Sequence, residues 1–219
     1  MTRGGLPALR ELELADDAAL WRRLGFAIGD DGSIVVAGVT LRFSADRPPS
    51  GISGWAFQAA GPLPTELDGV PTRRAAATAP APAPEHPNGA FGIDHVVVRT
   101  PDIERTLSTL RGAGFEVRRR RDAGSAQAPM RQAFLWAGDV LLEVVGPPLP
   151  TSAEPARLWG LVVVVGSLEQ LARCAGGAVG DARPAVQPGR FISSLRREAG
   201  SSVPLAFMTP HARAGEDVS

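Results

Sequence analysis

GIDHVVVRTPDIERTLSTLRGAGFEV (residues 92–117) and WAGDVLLEVVG (residues 136–146) carry the pattern that decides the fold. Residues 93–99 (IDHVVVR) form a short run dominated by β-branched side chains, which reads as a buried strand. Thr100, Pro101 and Asp102 then read as a helix start, with Thr100 as the cap and Pro101 in the first helical position, where a missing N–H is harmless. Ile103, Leu107 and Leu110 recur at helical spacing until Gly112 and Gly114 end the helix. Residues 115–119, 131–136 and 140–145 are further strand-like runs separated by turn residues. The order is β-α-β-β-β.

That order returns downstream. Residues 158–165 (LWGLVVVV) read as a strand and residues 167–175 as a helix. A short strand at 185–186 precedes the turn Pro188-Gly189, and residues 191–196 and 204–208 complete the set. Aligning the strand–helix junctions sets Gly160 opposite His95, and aligning the last strands sets Ala206 opposite Glu143. A shorter version precedes both: a strand at 9–15, a helix at 16–24, Gly25-Phe26 echoing Gly114-Phe115, and a hairpin at 33–43 around Gly38. Residues 51–58 (GISGWAFQ) resemble the strand at 158–165. Repetition at this scale points to duplicated supersecondary units that cover each other's sheet faces.

The expected organisation is a degenerate βαβββ-like module at 1–71, a linker at 72–88, a full module at 89–150, a closing module at 151–212 and a tail at 213–219. The linker, TRRAAATAPAPAPEHPN, alternates Ala and Pro, which favours an extended conformation unable to build a core. His86 within it reads as a solvated loop residue, and His211 and the tail beyond it are expected to lack order. The fold class is α+β.

Composition narrows the partners. The chain has 219 residues, enough for a substantial core, and its 23 basic and 23 acidic side chains cancel. This balance gives no pull toward nucleic acid or a membrane surface, so a small-molecule ligand is the expected partner, with a monomer or homodimer both open. Arg118 to Arg121 would be split between two strand faces and reads as a solvated edge that discourages edge-to-edge pairing. A single cysteine, Cys174, excludes an internal disulfide and a thiolate cluster, and its helical context reads as an inert thiol. The charged start MTRGGLPALRELEL lacks a signal peptide's apolar stretch, and the apolar run 161–165 is too short to span a bilayer. A cytoplasmic location is the expectation. The sequence has no GxSxG elbow, phosphate-binding glycine loop or HExxH, and residues 29–32 (GDDG) read as a turn.

The two quoted segments resemble the βαβββ module of the glyoxalase-like (vicinal oxygen chelate) superfamily, and RPAVQPGRFISSL (183–195) with VPLAFMTP (203–210) resembles a closing module of that family. The resemblance covers residues 89–210 well and the first 70 loosely. It implies modules paired into curved mixed sheets around a cleft, and a divalent metal (Zn, Mn, Ni or Fe) held by a His on the first strand and a Glu on the last. His95 and Glu143 stand in those positions. The implied activity is that of a metal-assisted lyase, isomerase or dioxygenase acting on a small oxygenated metabolite, with Glu143 also a catalytic residue. The alternative is a binding module that sequesters a small molecule without chemistry. The counterpart positions, Gly160 and Ala206, cannot ligate, so a third donor would have to come from Glu11, Glu13 or Gln132.

The residues alone support the same pair. Glu143 lies in an apolar strand, an expensive place for a carboxylate without a partner or a metal. An imidazole with a carboxylate is a common start to a divalent site. Against this stand a histidine bonded within the sheet and an ion pair of Glu143 with Arg131. Gln132, Trp159, Gln187 and Arg190 are the expected substrate-binding residues: Trp159 as an apolar wall, Gln187 and Arg190 flanking a turn that could aim both into the cleft.

Overall fold

A strand with a helix on one face and an open cleft on the other must alternate buried and half-buried residues, and this sorting places the site. The structure, a computed structural model, describes residues 5–44, 51–76 and 84–211. Its first half supplies β1 (Ala8–Leu14), α1 (Ala18–Arg23), β2 (Ile34–Val36), β3 (Val39–Phe43), β4 (Ile52–Gln58), β5 (Glu66–Leu67) and β6 (Val70–Arg74). There follow β7 (Ala90–Arg99), α2 (Ile103–Gly112), β8 (Val117–Gly124), β9 (Pro129–Ala137) and β10 (Val140–Gly146). The last unit comprises β11 (Arg157–Val165), α3 (Leu168–Ala175), β12 (Arg183–Pro184), β13 (Phe191–Ser194) and β14 (Leu205–Met208).

The α+β class and the repeat are both realised. β7 runs parallel to β10, which continues antiparallel through β9 to β8; β11 runs parallel to β14, which continues through β13 to β12. The two units join edge to edge, β7 antiparallel to β11. In this register Glu143 lies beside Val97 and Ala206 beside Val162, so the alignment of Gly160 with His95 and Ala206 with Glu143 agrees with the strand pairing. The first half repeats the plan in reduced form. β1 is parallel to β3, β4 is parallel to β6, and β1 meets β4 antiparallel. The first 71 residues, read as one module, thus contain one shortened unit and most of a second.

β10 shows the alternation clearly: Val140, Leu142 and Val144 are buried, while Leu141, Glu143 and Val145 are half-buried. The buried face of the sheet packs under α2, which contributes Ile103, Leu107 and Leu110 to one continuous core. Burying side chains of this size stabilises by about 1.5–3 kcal/mol each. The helix starts later than expected. Asp102, not Thr100, caps α2, its carboxylate accepting the Arg105 N–H at 3.0 Å. The Thr100 hydroxyl instead accepts the Asp102 N–H in a preceding turn, because the proline favours an extended residue before it. Ser167 caps α3, accepting the Gln170 N–H, and left-handed Gly176 ends it.

The linker boundary also differs. Residues 72–74 belong to β6, 77–83 lie outside the described residues, and His86 is buried rather than solvated. Its Nδ1 accepts the Ala27 N–H at 3.1 Å and its Nε2 lies 3.1 Å from the Val35 carbonyl, so a loop after the Ala/Pro stretch ties the two halves together. Burial depresses the His86 pKa below its ordinary value, outweighing the hydrogen bond to Val35. Buried Asp16 is a second tie: it accepts from Trp21 Nε1 and from the Ser201 and Ser202 hydroxyls. Residues 212–219, expected to lack order, lie outside the described residues; His211 is exposed and sits 3.3 Å from Arg190 Nη1. No helix is long and apolar enough to cross a membrane among the described residues.

Candidate functional site

The open face of β7, β9, β10, β11, β13 and β14 encloses a cleft of about 570 Å³, all of it from one chain. His95, Glu143 and Gln132 form its polar corner; Val97, Val145, Trp159, Gly160, Val162 and Ala206 are among the residues that line the rest. Four sequence-predicted residues therefore come together: His95, Glu143, Gln132 and Trp159. Trp159 is 40% exposed on the cleft, under the guanidinium of Arg99 at 5.6 Å.

Consecutive strand residues point to opposite faces, yet Asp94 and His95 meet. The pairing of β7 with β11 jumps from Ile93↔Val163 to His95↔Val162, leaving Asp94 as an extra, bulged residue. A bulge re-aims side chains locally. Here Asp94 Oδ2 comes 2.8 Å from His95 Nδ1, while His95 Nε2 lies 3.3 Å from Glu143 Oε2. Gln132 Nε2 donates to the other Glu143 oxygen, and Arg121 Nε donates to Gln132 Oε1. At the far end Arg190 Nη2 sits 2.6 Å from Asp94 Oδ1. The result is a continuous polar chain, Arg190–Asp94–His95–Glu143–Gln132–Arg121, of which His95, Glu143 and Gln132 line the cleft. Burial pushes the Asp94 carboxyl up, but hydrogen bonds from His95 and Arg190 together hold it below the ordinary value.

Several expectations are corrected. Arg190 does not face the cleft; its side chain is 1% exposed, held by Asp94 and by the Thr209 carbonyl 2.7 Å from its Nε. The bulged carboxylate captures it. Gln187 is half-buried in the preceding turn, lies off the cleft lining, and its carbonyl accepts the Arg190 N–H. Glu11 and Glu13 belong to the other half, where Glu11 pairs with Arg42 and both acids with Arg73. Arg131 pairs with Asp122 at 3.3 Å rather than with Glu143. Arg121, read as part of a solvated edge, is half-buried and supports Gln132. Cys174 is half-buried and its thiol donates to the Pro87 carbonyl at 3.1 Å.

Asp94 was missed by sequence reasoning. The Asp-His dipeptide was visible, but strand alternation sends the two side chains apart, and only the bulge unites them.

The divalent metal implied by the resemblance needs more donors than this cleft brings together. Protein metal centres take three or four donors converging on one point. His95 and Glu143 supply two, Gln132 engages Arg121 through its oxygen and Glu143 through its nitrogen, the facing wall offers Gly160, Val162 and Ala206, and no group of three or more His, Cys, Asp or Glu able to hold a metal occurs among the described residues. The residues present do not fit that centre.

Paired βαβββ units whose open faces form a cleft define the glyoxalase-like (vicinal oxygen chelate) fold, and this chain has it. No protein-family model and no curated protein matches the chain. Among solved structures, a mutant 4-hydroxymandelate synthase from Streptomyces coelicolor aligns over 94% of this chain and 92% of its own, with a TM-score of 0.57 and 14% identity. Methylmalonyl-CoA epimerase from Mycobacterium tuberculosis aligns over 57% of this chain and 91% of its own, with a TM-score of 0.43 and 14% identity. At 14% identity, the likeness to the synthase concerns the fold.

Proposed function

We infer that the chain holds a small oxygenated molecule in the cleft and moves a proton on it, as an isomerase of the glyoxalase-like fold would. One observation carries this reading: a histidine set between two carboxylates, Asp94 at 2.8 Å and Glu143 at 3.3 Å, facing an apolar cavity. In such surroundings an acid and a base act in low dielectric, where directed charge is worth more than in water.

In the proposed step, Glu143 takes the proton from a carbon beside a carbonyl, breaking the C–H bond and leaving its electron pair as an enolate. His95, carrying a proton on each ring nitrogen with Nδ1–H donating to Asp94, gives its Nε2 proton to the enolate oxygen and is left neutral. Delivery of that proton by Glu143 to the former carbonyl carbon, while His95 Nε2 takes back a proton from the neighbouring hydroxyl, completes a 1,2 proton shift, an isomerisation with no net redox change. Gln132 Nε2 holds one Glu143 oxygen, and the other, Oε2, lies beside His95 Nε2 at 3.3 Å. The apolar wall around Val97, Val162 and Ala206 excludes water.

The test is solvent-deuterium incorporation. A panel of small 2-oxo and 2-hydroxy carbonyl compounds is incubated with the protein in D₂O and read by proton NMR, with and without chelator. Exchange at one C–H that persists with chelator and disappears in Glu143→Gln supports the reading. Exchange equally fast in Glu143→Gln, or none across the panel, overturns it.

A second reading, binding without chemistry, is favoured by a different observation: the facing wall of Gly160, Val162 and Ala206 offers no charged group to stabilise a developing oxyanion. Tight, saturable binding of panel members that show no exchange would select it.

A further inference from the structure

At its outer end the cleft runs into a second hollow of about 430 Å³; Arg99, Met130 and Val145 line both. Arg157 lines this outer hollow, and Arg157 and Arg99 are directly paired partners across β11 and β7. Opposed residues of an antiparallel pair share a face, and like charges there repel. Repulsion of this kind is ordinarily relieved by an acid placed between the two. Here Glu154 is the one carboxylate lining the hollow, and neither guanidinium is in an ion pair or side-chain hydrogen bond among the described residues. Most other arginines at the site are engaged: Arg190 with Asp94, Arg121 with Gln132, Arg131 with Asp122. Arg99 has only the Trp159 ring beneath it.

We propose that Arg99 and Arg157 form an oxyanion-binding mouth to the cleft, so the molecule it takes is an anion, a carboxylate or phosphate ester, with an apolar body against Trp159. Two guanidinium forks on one face match the oxygens of such a group. The inference deepens the proposed function by naming the substrate class. It also sets a length. Arg99 and His95 are four residues apart on β7, about 13 Å at 3.3 Å per residue. With its anionic head at the mouth, a molecule need extend along β7 over no more than about this distance to bring its other end beside His95 and Glu143.

The experiment titrates the full chain with three probes of one shape: benzoate, phenyl phosphate and neutral benzamide, followed by tryptophan fluorescence. Trp159→Phe identifies the responding ring. Binding of benzoate or phenyl phosphate, weakened roughly tenfold or more in Arg99→Gln/Arg157→Gln and by added salt, with benzamide weaker in the wild type and indifferent to both, is the expected result. Preference between the two anions distinguishes carboxylate from phosphate. Both arginines are exposed, and an unchanged unfolding midpoint in the double variant confirms that only the mouth was altered. Benzamide binding as tightly as the anions, anion binding unchanged in the double variant, or no saturation by either anion overturns the proposal. The two readings fail separately. Glu143→Gln should lose deuterium exchange while keeping anion binding, and the arginine variant should lose anion binding while Glu143 remains intact.

Discussion

Asp94 and His95 are consecutive on one strand, yet Asp94 Oδ2 lies 2.8 Å from His95 Nδ1, because a bulge against β11 turns both toward the same space. Neither carboxylate flanking the imidazole stands alone: Arg190 holds Asp94, and Gln132 holds Glu143.

The Asp94 carboxyl is predicted to titrate at higher pH in His95→Ala than in the wild type. Burial raises its pKa, hydrogen bonds from His95 and Arg190 lower it, and the variant removes one lowering contribution while burial remains. In the wild type, the stability linked to Asp94 is present above its unfolded value near 3.8 and is lost as pH falls through the depressed folded value. Carbon-13 NMR of the Asp94 carboxyl reads the titration. An equal or lower midpoint in the variant would contradict the assignment.

Arg190→Gln is predicted to destabilise the fold rather than only change a ligand preference. Its guanidinium is buried against Asp94, and breaking a buried pair leaves an uncompensated charge at a cost on the order of 3 kcal/mol. Urea unfolding measures this. A loss within experimental error of zero would restore Arg190 as a free cleft residue.

Stability should fall as pH drops below about 6.5, and His86 should account for part of the loss. In the folded chain burial holds its pKa below the ordinary 6.5, so between the two values the unfolded chain binds more protons and acidification favours unfolding. Denaturant midpoints from pH 7.5 down to 5 should show a shallower slope in His86→Gln than in the wild type. Parallel slopes would remove His86 as the cause.

Asp16→Ala should cost roughly 2–4 kcal/mol, since it strands the Trp21 Nε1–H and the Ser202 N–H in a buried seam. Thermal unfolding compared with Asp17→Ala, which removes only the α1 cap, separates the tie between halves from helix capping.

Ala206→Glu should raise zinc affinity at least roughly tenfold over the wild type, because it adds a carboxylate at the position equivalent to Glu143 on the facing wall. Position 206 is a better choice than Gly160, where a Cβ would meet the Pro204 carbonyl oxygen at 3.0 Å. Calorimetric titration, repeated in the His95→Ala background, shows whether the gain depends on the resident pair. A gain that survives His95→Ala would place the new donor elsewhere.

Strand and helix periods, helix starts and the internal repeat are written in neighbouring residues, so the sequence by itself determined the α+β class and the paired modules. It also brought His95, Glu143, Gln132 and Trp159 into view: β10 alternates regularly around Glu143, and the other three lie on neighbouring strands lining the same cleft. Tertiary structure alone decided who the partners are. A single-residue bulge assigned Asp94 to His95, Arg190 is buried against that carboxylate, and Gln187 lies off the cleft lining. The tertiary fold carried Glu11 and Glu13 into the other half, folded His86 into the seam, and set Arg99 beside Arg157 at the mouth. These outcomes depend on register between strands far apart in the chain, where a shift of one residue exchanges the two faces of a strand. Local spacing carries no record of that register.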